Sequence, residues 1–99
     1  MISWNGSGKR RPVLILHHEG EMVTVFQITT KYESKSQSIK NNYFPIEEWQ
    51  YAGLHQPSYI DTIKALQLTV DAVDEVPMGQ LSEGDTTRLR GFLAKRGYA

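Results

Sequence analysis

Apolar and polar residues alternate in a way that divides the chain into strands first and a helix last. Val13-Leu14-Ile15-Leu16 is an unbroken apolar run, the pattern of a strand buried on both faces, and Pro12 suits its first position, where a missing N–H is tolerated. Glu19-Gly20 gives a turn signal. Met22 to Thr29 then resumes in β-branched and aromatic residues, so the two runs predict a hairpin. Ser58 to Leu68 is the second β region. Its alternation sets Tyr59, Asp61, Ile63 and Ala65 on one face and Ile60, Thr62, Lys64, Leu66 and Leu68 on the other. Ile63 breaks the polar phase, which predicts a bulge or bend near Lys64.

The intervening stretches read as connections. Trp4 to Arg11 contains Gly6, Ser7 and Gly8 and predicts a mobile loop feeding a strand. Lys31 to Asn42 is polar and predicts a surface loop; Asn42-Tyr43-Phe44-Pro45 predicts a short strand end. Ile46-Glu47-Glu48-Trp49 starts a helical turn that Gly53 would stop in the left-handed position. Ser82-Glu83-Gly84-Asp85 has the form of a capping box, with Ser82 accepting from first-turn amides and Asp85 reaching back. Leu89, Phe92 and Leu93 follow at helical spacing. Lys95 and Arg96 complement the dipole of the last turn, and Gly97 ends the helix.

Composition narrows the classes of function. Ninety-nine residues fit a single domain spanning 1–99, with a thin core, and a chain this small gains from a partner, which favours a dimer. Eleven Lys and Arg balance eleven Asp and Glu, so bulk attraction to phosphate is not indicated and any nucleic-acid role must rest on a local site. The absence of cysteine removes disulfide frameworks, thiolate chemistry and the common zinc fingers and ribbons. The sequence has no signal-peptide core and no stretch long enough to span a membrane, so a cytoplasmic location is the default expectation. No Gly-rich phosphate loop, His-Glu metal spacing or serine elbow occurs, so neither a metal nor another cofactor is expected.

The candidate chemistry is concentrated at Lys9-Arg10-Arg11-Pro12. Three adjacent charges are either a solvated loop or an anion site; Arg11 is the stronger candidate because it abuts the buried strand and could clamp a phosphate in two directions. Thr29-Thr30 end the next strand, and a hairpin would bring Thr29 to the same end as Arg11. His17 and His18 are candidates for an acid–base pair because of the general chemistry of imidazole, but as strand neighbours they point to opposite faces and cannot act together as a chelate. Asp61 and Lys64 read as a surface pair that could line a groove. The general base stays open among His17, His18 and Asp61.

Taken in order, Gly8-Lys9-Arg10-Arg11-Pro12-Val13-Leu14-Ile15-Leu16, Gln27-Ile28-Thr29-Thr30, Gly53-Leu54-His55-Gln56-Pro57-Ser58-Tyr59-Ile60 and Gly79-Gln80-Leu81-Ser82 before an amphipathic helix resemble the PemK/MazF-like family across roughly residues 8–95. The resemblance implies a mainly β fold, an SH3-like barrel of bent antiparallel strands with a C-terminal helix, acting as a homodimer. It implies a toxin of a toxin–antitoxin pair, cleaving single-stranded RNA without a metal and held in check by a cognate antitoxin peptide. On that likeness Arg11 and Thr29 carry catalysis, Arg11 stabilising charge on the phosphorane and Thr29 bonding a phosphate oxygen. Lys9, Arg10, Thr30, Ser58 and Lys64 are the candidate RNA contacts. The chain departs from the family at its N-terminus, where only Met1 to Trp4 precede the loop, and past Ser58, where Asp61 and Lys64 stand in a shifted arrangement. The alternative is an SH3-like binding module that kept the fold and lost catalysis.

Overall fold

The computed structural model describes residues 2–5, 11–73 and 79–97. Strands β1 (Ile2–Asn5), β2 (Arg11–Glu19), β3 (Met22–Thr29), β4 (Tyr43–Pro45) and β5 (Tyr59–Thr69) form one antiparallel sheet in the order β1-β2-β3-β5-β4. A single helical turn, α1 (Gln37–Lys40), precedes β4, and the long helix α2 (Glu83–Lys95) closes the chain. Among the described residues, edge strands β1 and β4 form no ladder with each other. The bent sheet is covered by α2 and remains a partly open barrel.

The β2–β3 hairpin turns through Gly20-Glu21, with Glu19 opposite Met22. Gly20 has φ 60° and Glu21 stays at negative φ, so the glycine occupies the first central position, the one that demands a positive φ in a tight hairpin whose twist matches its strands.

Alternation on these strands feeds two apolar clusters. Ile2, Leu14, Phe26, Ile28, Phe44 and Ile60 point toward α2, where Leu89, Phe92 and Leu93 meet them. On the opposite face Val13, Val23 and Val25 gather Ile15, Leu66 and Leu68. The Val13–Ile15 run therefore buries both faces, as its continuous apolar pattern predicts, whereas Leu16 is exposed.

Two irregularities bend the sheet. In β2, Leu16 is an extra residue between the pairs Ile15–Val25 and His17–Thr24. The second is larger. From Val25 to Gln27, β3 advances two residues while β5 advances five, from Leu66 back to Asp61, so β5 carries three extra residues. The predicted bulge near Lys64 is present, but it reverses the facing of the residues beyond it. Because three is odd, Leu66 and Leu68 move to the face opposite Ile60, correcting the expectation that all three share one face.

Other expectations are also corrected. The segment from Trp4 is not all loop: Ile2–Asn5 is a strand paired with β2 from Leu14 to Arg11, and Ile2 is fully buried. That burial contributes roughly 1.5–3 kcal/mol, which explains how so short a strand is held. Ile2 also exchanges backbone hydrogen bonds with Gly79 (2.8 and 3.4 Å). A Cβ on Gly79 would lie 2.1 Å from the Ala52 carbonyl oxygen, so only glycine fits there. Lys31 to Asn42 is not wholly loop, since it contains α1.

The turn over 46–53 ends as predicted. Leu54 N–H donates to Trp49 O and Gly53 N–H to Gln50 O, with Gly53 at φ 91°: the paired bonds of a Schellman stop. Ser82 Oγ accepts from Asp85 N (3.1 Å), as the capping box requires. Asp85, however, does not reach back to Ser82. Its buried carboxylate accepts from Glu47 N (3.2 Å), Glu48 N (2.9 Å) and Arg88 Nη1 (2.5 Å), fastening the 46–53 turn to α2.

Candidate functional site

Arg11 and Val13 lie on the same face of β2, and Val13 pairs with Gln27 of β3. Continuing that register by two residues sets Arg11 opposite Thr29. Thr29 in turn pairs with Tyr59 of β5, and Tyr59 with Pro45 of β4. The neighbouring row on the same face runs Val13, Gln27, Asp61, Tyr43. The face that is apolar around Val23 and Val25 thus becomes polar at its other end.

At that end Arg11, Pro12, Ile28, Thr29, Thr30, Lys31 and Ser58 line a cleft of 210 Å³. Arg11 and Lys31 are exposed there, giving the cleft two cations. Thr29 Oγ1 accepts from Lys31 N at 3.1 Å. Ser58 Oγ donates to Gln56 O at 2.8 Å, which ties down the chain entering β5. Beside the cleft the Tyr32 ring stacks on Tyr59, with centroids 4.2 Å apart and planes 10° apart. Burial raises the Tyr43 phenol above its ordinary pKa, and the Asp61 carboxylate beside it adds to the shift.

Size does not select the site. A 410 Å³ groove between β2 and α2 is lined chiefly by leucines, including Leu14, Leu16, Leu81, Leu89 and Leu93. A 340 Å³ hollow at the hairpin tip holds His18 but also Glu21 and Asp71, the wrong sign for a polyanion. Of these hollows among the described residues, the smaller cleft is the one that joins cations, hydroxyls and a strand end. Among the described residues no three His, Asp or Glu side chains gather in a way that could hold a metal ion, and no helix is long and apolar enough to cross a membrane.

The sequence candidates are distributed unevenly. Arg11, Thr29, Thr30 and Ser58 meet at the cleft. Lys9 and Arg10 lie outside the described residues. Lys64 does not line the cleft: it sits, exposed, in the inserted part of β5. Asp61 and Lys64 do not form the expected surface pair; within the inserted part of β5, Asp61 Oδ1 accepts from Ile63 N (3.0 Å). His17 and His18 occupy the hairpin end of β2, about 20 Å of extended strand from Arg11. There His17 Nε2 contacts Glu19 (3.4 Å) and His18 Nε2 the Gly20 carbonyl (2.9 Å). Lys31, Gln27, Tyr32 and Tyr59 belong to the site or its border, and the sequence pattern does not single them out. The signal for Lys31 and Tyr59 is adjacency, one following Thr29-Thr30 and the other Ser58.

No protein-family model and no curated protein matches the chain. Solved structures do. The Mycobacterium tuberculosis toxin MazF-mt6 superposes with a TM-score of 0.74 at 25% identity, covering 95% of this chain and 92% of its own. A second structure, described as an Mtb toxin, gives a TM-score of 0.71 at 23% identity, covering 94% and 97%; it speaks for the fold alone. In its fold, and in the order of its motifs along that fold, this chain resembles the PemK/MazF-like toxins, from which its sequence has diverged.

Proposed function

We propose that the protein is a toxin-type endoribonuclease that cleaves single-stranded RNA without a metal, as one half of a toxin–antitoxin pair. The observation that carries this reading is the meeting of Arg11 and Thr29 at one cleft. A phosphodiester lodged there would receive the Arg11 guanidinium and the Thr29 hydroxyl on its non-bridging oxygens. When the neighbouring ribose 2′-hydroxyl attacks phosphorus, negative charge builds on those oxygens, where preorganised donors contribute most. The bond to the 5′-oxygen breaks, leaving a 2′,3′-cyclic phosphate and a 5′-hydroxyl. A flexible single strand can bring its 2′-hydroxyl in line with the departing oxygen more readily than a duplex can.

Of the three candidates for general base, Asp61 is favoured. It occupies the row next to Arg11 and Thr29, whereas both histidines lie at the far end of the hairpin. Lys9, Arg10, Thr30, Lys31 and Ser58 would hold the RNA backbone. The description of MazF-mt6 as a toxin fits a cognate antitoxin as partner; homodimeric assembly and a cytoplasmic setting complete the proposed reading.

Expression of the wild type and Arg11→Ala in bacteria tests the reading. The wild type should arrest growth and degrade RNA. The variant should lose about 10²–10³-fold in purified cleavage rate, with no dependence on added chelator in either protein. Equal growth with intact RNA in both strains would sink the proposal. A non-catalytic binding module is the second reading, favoured by the engagement of Asp61 with its own backbone; it expects ligand binding with no RNA cleaved.

A further inference from the structure

The Thr29 hydroxyl has one hydrogen to give, and its surroundings decide where that hydrogen goes. Because Oγ1 accepts the Lys31 N–H, one lone pair is occupied and the O–H is left to be donated elsewhere, at the cleft that Thr29 lines. This arrangement depends on the path from residue 29 to residue 31, just beyond the last ladder pair, Thr29–Tyr59. Thr30 and Lys31 are exposed and do not anchor that path. The next side chain does. Tyr32 folds back to stack on Tyr59, the ladder partner of Thr29 itself.

The other side of the Tyr32 ring is also occupied. Lys40 Nζ lies over it, 4.8 Å from the centroid, and a face already stacked at 4.2 Å has no room for an ammonium. Lys40 therefore takes the opposite face, with Glu33 at 4.0 Å from the ammonium. Lys35 N–H donates to the Tyr32 carbonyl at 3.0 Å, fixing the backbone just beyond the ring. A ring covered on both faces offers no platform for a nucleobase, although such platforms are common in single-strand binding. Its geometry suits a clamp.

We propose that Tyr32 is a positioning residue: held between Lys40 and Tyr59, it fixes the turn in which the Lys31 amide orients the Thr29 hydroxyl as a donor into the cleft. The catalytic consequence rests on the reading of Arg11 and Thr29 as the phosphate site. The clamp itself does not.

The test compares wild type, Arg11→Ala, Tyr32→Phe and Tyr32→Leu by melting temperature, by kcat and KM on a single-stranded oligoribonucleotide, and by NMR hydrogen exchange of the Lys31 amide. Tyr32→Phe keeps the ring and should stay within about twofold of wild type. Tyr32→Leu should melt cooperatively, exchange the Lys31 amide faster, and lose about 10–100-fold in kcat with KM little changed, because a donor to developing charge has been misaimed. An unaltered Lys31 exchange rate in Tyr32→Leu overturns the proposal. So does a rise in KM alone, which would mark a base contact. If wild type and Arg11→Ala both leave RNA intact, the nuclease reading fails, and the exchange data still decide whether Tyr32 sets the Thr29 geometry.

Discussion

Tyr43 is the residue at which charge and burial can be weighed directly. Its raised pKa means that the folded chain keeps the phenol protonated where the unfolded chain releases it. The associated stability is complete below the unfolded value of about 10 and is lost as pH rises from there through the folded value. Denaturation followed against pH should therefore show a fall above about pH 10 that Tyr43→Phe removes, and Asp61→Asn should lower the phenol's pKa in an absorbance titration. At Thr29, Thr29→Ser should retain cleavage, and Thr29→Val should lose about 10²–10³-fold through the missing donor. Arg11 and Thr29 can be singled out from sequence because each marks the end of an obvious apolar run. Gln27 and Tyr32 cannot, because their significance comes from what lies across the ladder or in a turn. Sequence spacing carries no sign of that.

Among the elements, α2 shows the same limit. Its start, its apolar stripe and its glycine stop come from local pattern, and Ser82 caps it as a serine there should. The two amide partners of Asp85 stand 37 and 38 residues away, and no local motif specifies them. A buried carboxylate that satisfies two amides and a guanidinium leaves those donors stranded when removed. Asp85→Ala should cost about 3 kcal/mol, a fall of roughly 10–25 °C in Tm for a chain of this size. Asp85→Asn, which keeps one acceptor, should lose less; calorimetry of the two variants checks the order. Strand β1 is hidden from sequence for a similar reason. Four residues hold too little pattern to announce a strand, and pairing with β2 and Gly79 is what makes them one.

For the molecule as a whole, the decisive quantity is the contrast between a net charge of zero and a cleft bearing Arg11 and Lys31. Binding to RNA should be local in its electrostatics. With Arg11 and Lys31 joined by the proposed contacts Lys9 and Arg10, about three or four phosphates are engaged, and the logarithm of affinity should fall against the logarithm of salt with a slope of about −2 to −3. Titrations of a non-cleavable oligonucleotide at several salt concentrations measure it. A much steeper slope would mean that the RNA follows a longer cationic track than the cleft supplies. The fold class is legible in the sequence because it depends on the order and period of apolar runs. Which face those runs present after the β5 bulge is not, because a count of inserted residues appears only once two strands are aligned.

That count governs how the gene can change length. Between Asp61 and Leu66 the chain obeys an even–odd rule: a deletion of two codons leaves an odd insertion, so Leu66 and Leu68 still meet Val23 and Val25. Loss of one codon, though milder as an edit, would turn those leucines outward and bring their polar neighbours in. A library of short deletions across 62–65, screened for soluble folded protein, should therefore retain the two-codon members and lose the one-codon members.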